Sequence, residues 1–306
     1  MTWLEPIARR PRLAAVLGAL CIAFSGVFYR FAETTPATAT VFRCLYGLPL
    51  LVLVARAEGR AFGPMPRRTW RLAIVAGVFF AGDLMTWHHA IEFVGAGLAT
   101  VLGNLQVAIV AIAAWLLFGE RPAGRTLAAV PIALAGAVLI SGAVGTGAYG
   151  ANPPLGVGLG TLTGICYAGY LLVIRRSVDD PRRAAGPVAI STLSTAVVAA
   201  LAGVALGELS LVPSWPVHGW LIAYGLTSQS VGYLLISYSL PRLPAALTSL
   251  ILLTQPVATV VLARLLLAET PSVAQLLGVA LIIGGIAFGT LPVARIRDRL
   301  RSAAGV

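Results

Sequence analysis

Ten long apolar segments, separated by short polar connections, dominate the chain. Each has about the length that a helix needs to cross the hydrocarbon core of a bilayer, roughly 20 residues. Because lipid offers no hydrogen-bond partners to an open backbone, such segments must be helical. We therefore predict an all-α polytopic membrane protein with ten transmembrane helices. The predicted spans are Leu13–Phe31, Ala37–Val54, Leu72–Ile91, Ala96–Phe118, Leu127–Val144, Leu155–Ile174, Ala184–Leu206, Trp220–Leu240, Ala245–Leu267 and Ala274–Leu291.

Composition excludes a soluble alternative. The chain has 58% hydrophobic and 11% charged residues, where a soluble domain carries roughly 25% charged residues. The three cysteines are isolated within apolar runs, so the sequence predicts neither a disulfide framework nor a metal site. It also contains no nucleotide-binding motif and predicts no cofactor.

The positions of the arginines predict the orientation. All 22 basic residues are arginines, and the formal net charge is +11. With the N-terminus in the cytoplasm, all of them except Arg30, Arg43 and Arg264 fall in cytoplasmic segments, as the positive-inside rule requires. The charge is therefore interpreted as a topology signal and not as a nucleic-acid surface. We expect a multi-pass protein of the cytoplasmic (inner) membrane, with a retained first span and both termini in the cytoplasm.

The two halves of the chain repeat each other at a constant offset and without a gap. Gln106 matches Gln255, Glu120 matches Glu269, and Gly136 matches Gly285. The fourth and ninth spans correspond yet must run in opposite directions, so the repeat is inverted, which is a recurrent transporter architecture. We predict a first five-helix repeat at 1–144, a Gly/Pro-rich linker at 145–154, a second inverted repeat at 155–292 and a basic cytoplasmic tail at 293–306. The glycine-lined last spans are expected to pack either against each other or against a second subunit, as in a homodimer.

This arrangement resembles the drug/metabolite transporter (DMT) superfamily, and within it the EamA-type transporters. The resemblance rests on two five-helix halves that each end in Glu-x-Pro and a glycine-rich last span. The stretch Thr35-Pro36-Ala-Thr-Ala-Thr-Val-Phe-Arg43 also resembles the family's second span. The second half departs from this pattern, because Ser194 stands where the first half has Arg43. The resemblance implies a transporter; family members mostly export amino acids, other metabolites or drugs, and some import sugars or nucleotide sugars.

Charged side chains inside spans are costly in lipid and mark candidate sites. Arg43 has two interpretations: a structural anchor that pairs with backbone carbonyls or Glu33, and a cavity residue that binds a substrate carboxylate. Asp83 and His88 share the third span, with Trp87 one turn after Asp83 on the same face. Asp83 and His88 are candidates for proton coupling, although they could instead satisfy each other without titrating.

Neutral polar side chains extend the candidate cavity. Gln106 and Gln255 occupy matching positions of the repeat, on either side of a two-fold pseudo-axis. Gln229 and Tyr233 belong to a polar stripe on the eighth span, and Tyr167 lies on the sixth. The alternatives are interhelical hydrogen bonding for the glutamines and interface anchoring for the tyrosines. Tyrosines with a polar tip favour an amphipathic metabolite that carries an aromatic or aliphatic group.

We predict a secondary transporter that exports amino acids or related compounds by alternating access. A drug/multidrug or sugar-like metabolite transporter of the same fold, or a non-transporting membrane subunit, is the alternative. A membrane enzyme that uses His88, Asp83 and Glu92 is disfavoured, because no second catalytic cluster accompanies them. The expected partners are a small-molecule substrate, the lipid bilayer and protons, without nucleic acid.

Overall fold

The computed structural model describes residues 10–140, 152–212, 214–266 and 272–290. These residues form a bundle of helices, and no β-strand occurs among them. The ten helical segments are α1 (Pro11–Ala32), α2 (Pro36–Phe62), α3 (Arg67–Val94), α4 (Val101–Phe118), α5 (Gly124–Ile140), α6 (Pro153–Ser177), α7 (Ala185–Leu206), α8 (residues 217–239), α9 (residues 245–266) and α10 (Val273–Thr290).

Seven helices in the described ranges are long and apolar enough to cross a membrane: α1, α2, α3, α4, α6, α7 and α9. This confirms the predicted polytopic helical membrane protein. Of the remaining predicted spans, α5 and α10 are shorter apolar helices. The eighth is not one continuous α-helix, because its centre, Gly225–Gly232, is a π-helix.

Several parts of the predicted domain organisation lie outside the described residues. These are the start of the first repeat, most of the linker at 145–154, the Glu269–Pro271 motif and the basic tail at 293–306. At the end of the linker, α6 begins at Pro153, two residues before the predicted Leu155. The Asn152 side chain accepts a hydrogen bond from Leu155 N at 3.3 Å, which caps this helix.

α2 extends two turns beyond the predicted end of the second span at Val54. It begins with Pro36 in the first turn, behind Thr35, whose hydroxyl accepts from Thr38 N at 3.4 Å. It ends at Gly63, where φ is 84°, a backbone conformation that favours glycine. The apolar run therefore marks the part of α2 that lipid requires, while the capping residues determine where the helix ends.

The chain reverses direction between α3 and α4, although helical hydrogen bonding continues from Arg67 to Asn104. A Cβ atom placed on Gly103 would lie 3.9 Å from Trp87 Cδ1. Sixteen residues along a straight helix would separate these positions by about 24 Å. The reversal between Val94 and Val101 produces the two antiparallel spans that the sequence predicts.

Helices α4 and α9 are interrupted at corresponding places. The α-helix breaks at Leu105 in α4 and at Leu253 in α9, within one residue of the offset that relates Gln106 to Gln255. At both breaks the amide donates to the third residue before it, Leu105 N to Leu102 O and Leu253 N to Leu250 O, each at 3.1 Å. The same local bend therefore occurs in both halves.

The last helices of the two halves, α5 and α10, pack against each other through small residues. A Cβ on Gly136 would lie 2.7 Å from Gly278 O, and a Cβ on Gly285 would lie 3.4 Å from Ala129 O. At the repeat offset, Gly136 corresponds to Gly285 and Ala129 to Gly278. The two contacts are thus equivalent, as a two-fold relation between the halves requires. The sequence left open whether the last spans pack against each other or against a second subunit. These glycines pack against the other last span of the same chain.

Carboxylates from the first half cap two helices of the second half at the arginine-rich end of the bundle. The α7 N-terminus has no side-chain cap of its own. Instead Glu58 of α2, which is 2% exposed, accepts from Ala185 N at 3.0 Å and from the Tyr238 hydroxyl. This satisfies one of the free amides with which every helix begins.

Glu120, just after α4, plays the same part for α9. It accepts from Ala245 N at 3.4 Å and from Arg175 Nη1 of α6 at 2.5 Å. Arg175 also donates to Leu240 O at 2.9 Å and to Leu243 O at 3.2 Å. The Glu120–Arg175 pair therefore ties α4, α6, the end of α8 and the start of α9 together.

In the connection between α6 and α7, hydrogen bonds from Arg182 lower the pKa of Asp180.

Replacing Glu120 with glutamine should lower the melting temperature of the purified protein, by an amount equivalent to about 1–3 kcal/mol. The amide keeps the shape of the side chain but removes the charge that compensates Arg175. Thermal unfolding in detergent micelles measures the effect, with exposed Glu33→Gln as the matched control. Equal melting temperatures for the two variants would show that the Glu120–Arg175 pair does not stabilise the folded protein.

Candidate functional site

Arg43 of α2 lies buried within the bundle. Arg43 is 1% exposed, and its Nη1 donates to the Tyr224 hydroxyl of α8 at 2.6 Å. The guanidinium carbon lies 4.2 Å from the Tyr224 ring centroid, 5.7 Å from that of Phe80 and 5.9 Å from that of Tyr233. Aromatic faces at these distances attract a cation. The guanidinium is therefore held within three rings.

Two of the three guanidinium nitrogens are not satisfied by the protein. Arg43 Nε and Nη2 are buried and make no hydrogen bond to any described residue. Arg43 also makes no ion pair with Glu33, which is exposed. A buried cation without hydrogen-bond partners is costly, and such groups are normally paired with protein, water or ligand. Of the two interpretations of Arg43, the anchor to Glu33 or to backbone carbonyls is not observed.

Asp83 of α3 lies beside this arginine. It is 8% exposed, and Arg43 is within electrostatic range of its carboxylate. No hydrogen bond or ion pair closer than 4.0 Å joins the two side chains among the described contacts. The carboxyl group and the guanidinium are therefore both buried near each other without being paired directly.

Aromatic side chains from three helices form one wall of the site. The ring centroids of Phe80 and Tyr170 are 4.4 Å apart, those of Phe80 and Tyr233 are 4.6 Å apart, and those of Tyr167 and Tyr170 are 6.4 Å apart. Tyr167 and Tyr233 are both within electrostatic range of Arg43 and Asp83. The two tyrosines predicted from the sequence thus share one site with the two charged residues.

Gln255 joins this group, because its amide lies close to the Tyr167 hydroxyl. Neither Gln255 Nε2 nor Tyr167 Oη meets hydrogen-bond geometry with any described residue. The other two candidate glutamines, Gln106 and Gln229, are buried at separate contacts. Gln106 Nε2 donates to Ser249 O at 3.5 Å, and Gln229 Nε2 donates to Thr192 Oγ1 at 2.8 Å, while both Oε1 atoms lack partners within the described ranges.

His88 and Trp87 are placed differently from each other. His88 is buried, its Nδ1 is 2.6 Å from Leu84 O, and its ring centroid is 4.1 Å from that of Tyr29. His88 Nε2 is buried and has no hydrogen-bond partner among the described residues. Trp87 packs against the apolar cluster of Ala90, Val94 and Ala99 between α3 and α4. Trp87 shares a face with Asp83 by periodicity, but it is packed outside the Arg43 group.

Sequence reasoning missed Tyr224, Phe80 and Tyr170. Phe80 lies one turn before Asp83, a spacing that predicts a shared face. Tyr170 lies one turn after Tyr167, a spacing that likewise predicts a shared face. Tyr224 carries no such signal, because nine residues of α-helix, about two and a half turns, would place it opposite Tyr233.

In the described ranges, no group of three His, Cys, Asp or Glu side chains is arranged to hold a metal ion. His88, Asp83 and Glu92, the residues of the disfavoured enzyme hypothesis, make no hydrogen bonds to one another among the described contacts.

Comparison with known proteins agrees with this architecture. The model of the EamA-like transporter family matches residues 10–142 and 154–291, once in each half. A solved crystal structure superposes with a TM-score of 0.77 over 92% of this chain and 98% of that chain, at 22% identity, which supports the fold alone.

Two relatives are described as uncharacterized transporters. One, from Synechocystis sp., is 27% identical over 264 residues, which cover 80% of this chain and 76% of the relative. The other, from Archaeoglobus fulgidus, is 25% identical over 293 residues, which cover 94% and 98%. An uncharacterized protein of Pseudomonas aeruginosa is 29% identical over 296 residues, which cover 93% and 96%. Because the family model matches both halves of a ten-segment helical bundle, this chain belongs to the EamA-like transporter family.

Proposed function

We propose that this transporter exports amino acids or closely related amphipathic metabolites by alternating access. The observation that carries the proposal is Arg43, a buried guanidinium with two unsatisfied nitrogens. A substrate carboxylate supplies both the charge and the acceptors that these nitrogens lack, and charge-assisted bonds of this kind are about twice as strong as neutral ones.

The surroundings of Arg43 favour a substrate that carries both charges. Asp83 is close enough to attract a substrate ammonium while Arg43 binds the carboxylate. The rings of Phe80, Tyr167 and Tyr233 offer an apolar surface with polar tips to an aromatic or aliphatic side chain. An amino acid satisfies all three requirements. Neutral sugars and drugs without an acidic group lack the carboxylate, and they are the alternatives that the same experiment tests.

Alternating access is supported by the equivalent contacts of the two halves. Matched bends at Leu105 and Leu253 and the matched glycine contacts of α5 and α10 are expected when two inverted units can exchange conformations. The arginine distribution supports a location in the inner membrane with both termini in the cytoplasm. The Glu120–Arg175 pair then lies at the cytoplasmic end and must open during transport.

The experiment is uptake of radiolabelled L-amino acids, and in parallel of a neutral sugar and a drug without an acidic group, into proteoliposomes that contain the purified protein, with and without an imposed pH gradient. Saturable uptake of some amino acids supports the proposal. Uptake of drugs or sugars in place of amino acids would leave the assignment as a transporter intact but would reject Arg43 as the partner of a substrate carboxylate. An excess of unlabelled substrate on either side of the membrane shows whether exchange occurs.

Asp83→Asn tests proton coupling at the buried carboxylate. If Asp83 carries the coupled proton, uptake should become independent of the imposed pH gradient, because an amide cannot release a proton. Initial rates at matched and opposed gradients provide the measurement. Exposed Glu92→Gln, at the end of the same helix, should keep the wild-type response. A gradient response that persists in Asp83→Asn but disappears in His88→Gln would transfer the role to His88.

A further inference from the structure

We infer that Tyr224 is a positioning residue that leaves one particular edge of the Arg43 guanidinium, Nε and Nη2, for the substrate carboxylate. The inference deepens the proposed function and rests on it for the identity of the ligand group. Tyr224 was not among the residues that the sequence pattern selected.

A guanidinium offers two edges to a carboxylate in the two-bond geometry. One is formed by Nη1 and Nη2, and the other by Nε and Nη2. In this structure Nη1 of the first edge already donates to the Tyr224 hydroxyl at 2.6 Å. The two nitrogens without partners among the described residues are Nε and Nη2. They lie on one edge of a planar group, with the geometry that two carboxylate oxygens match.

The Tyr224 ring also lies against the guanidinium. Its centroid is 4.2 Å from the guanidinium carbon of Arg43, the shortest of the three ring contacts. Stacking of an arginine on an aromatic face restricts rotation about the last side-chain bonds, so less entropy is lost when a ligand binds. Tyr224 therefore both occupies Nη1 and restricts the rotation of the guanidinium.

The π-helix of α8 explains how Tyr224 reaches this position. An α-helix would place Tyr224 and Tyr233 on opposite faces, yet both rings contact Arg43. The intervening Gly225–Gly232 is π-helical, and its wider turns rotate the chain less for each residue. The π-helix thus brings both tyrosines to one side of α8. Single π-helical turns occur frequently at functional sites.

Two glycines allow α8 to lie directly on α2 beside Arg43. A Cβ on Gly225 would lie 2.7 Å from Arg43 O, and a Cβ on Gly47 would lie 2.8 Å from Gly225 O. Ser230 Oγ lies 2.8 Å from Gly47 O of α2 and 3.0 Å from Gly225 O of α8, so its hydroxyl donates at the point where the two helices cross. The crossing is therefore tight and hydrogen-bonded at Gly225, the residue that follows Tyr224.

The experiment compares Tyr224→Phe with a matched control, Tyr46→Phe. Tyr46 of α2 also joins α2 to α8, because its hydroxyl is 2.5 Å from His218 Nδ1, but it does not bond to Arg43. Both variants lose one interhelical tyrosine hydroxyl between the same two helices. A purely structural contribution from the hydroxyl would affect both.

The measured quantity is the preference for a carboxylate over its carboxamide. The purified protein in lipid nanodiscs is titrated with acetate and acetamide, hexanoate and hexanamide, and phenylacetate and phenylacetamide, and binding is followed by thermal stabilisation. The wild type and Tyr46→Phe should bind each carboxylate more tightly than its amide. Tyr224→Phe should lose about tenfold of this preference, because Nη1 becomes a competing donor and the plane is free to turn.

Arg43→Lys serves as a second variant that does not depend on the stability of Tyr224→Phe. It keeps the charge but has no two-nitrogen edge, so it should lose at least as much of the preference. Wild-type preference in either Tyr224→Phe or Arg43→Lys, or an equal loss in Tyr46→Phe, overturns the inference. So does the absence of any carboxylate preference in the wild type. Carboxylate preference without amino acid uptake in proteoliposomes would reject the proposed substrate and leave the role of Tyr224 intact.

Discussion

Replacing Arg43 with glutamine should lower amino acid uptake at least about 100-fold without lowering the melting temperature of the protein. Truncating one partner of a buried, hydrogen-bonded charge pair commonly costs 2–5 kcal/mol of binding free energy, which corresponds to this loss. Stability should not fall, because Arg43 is a buried charge with two nitrogens that no described residue satisfies. Removing such a charge is often neutral or stabilising.

Uptake in proteoliposomes and thermal unfolding in detergent measure the two halves of this prediction. Arg60→Gln provides the control, since Arg60 is exposed near the arginine-rich end of the same helix. Unchanged uptake in Arg43→Gln would remove Arg43 from the transport site. A large drop in melting temperature would instead identify Arg43 as a structural anchor, through its bond to Tyr224.

Replacing Gly77 with valine should prevent the recovery of folded protein, because α3 and α7 touch there without room for a side chain. A Cβ on Gly77 would lie 2.4 Å from Ser191 O and 2.5 Å from Ser194 Cβ. Thr195 Oγ1 donates to Gly77 O at 3.0 Å, which holds the two backbones together. Overpacking typically costs 1–3 kcal/mol, and a rigid backbone contact in a membrane bundle should exceed about 3 kcal/mol.

The measurement is the yield of monodisperse protein in gel filtration, together with its melting temperature. Gly158→Val is the matched control: Gly158 is exposed on α6, and a Cβ there would meet nothing within 4 Å. Folded Gly77→Val with a melting temperature like that of Gly158→Val would show that α3 and α7 can separate without loss, contrary to the packing seen here.

Much of the candidate site was predictable because polar groups are costly in lipid. That single rule selected Arg43, Asp83, Tyr167, Tyr233 and Gln255, which the fold brings close together. It also selected Gln106 and Gln229, which the fold buries at separate contacts. It could not separate the first five from Trp87, which has the right helical spacing but packs into the apolar cluster between α3 and α4. Helical spacing predicts the direction in which a side chain points. The neighbouring helix determines what it meets.

The sequence by itself determined the features that depend on local rules. A bilayer requires about 20 apolar residues in each full-length span, so hydropathy alone predicts where the spans lie. Constant spacing between matching residues likewise revealed the repeat before any contact was known. The contact of Gly136 with Gly278, and its equivalent between Gly285 and Ala129, is the physical counterpart of that spacing.

Only the tertiary structure decided the role of Tyr224 and the interruption of α8. Periodicity assumes 3.6 residues per turn, and on that assumption Tyr224 faces away from Tyr233 and from the site. The π-helix changes this rotation, and it is sustained by contacts with α2 across Gly47, Gly225 and Ser230. Those contacts join residues far apart in the chain, so no local pattern could reveal them. The geometry that leaves Arg43 Nε and Nη2 free is consequently a property of how two distant helices cross.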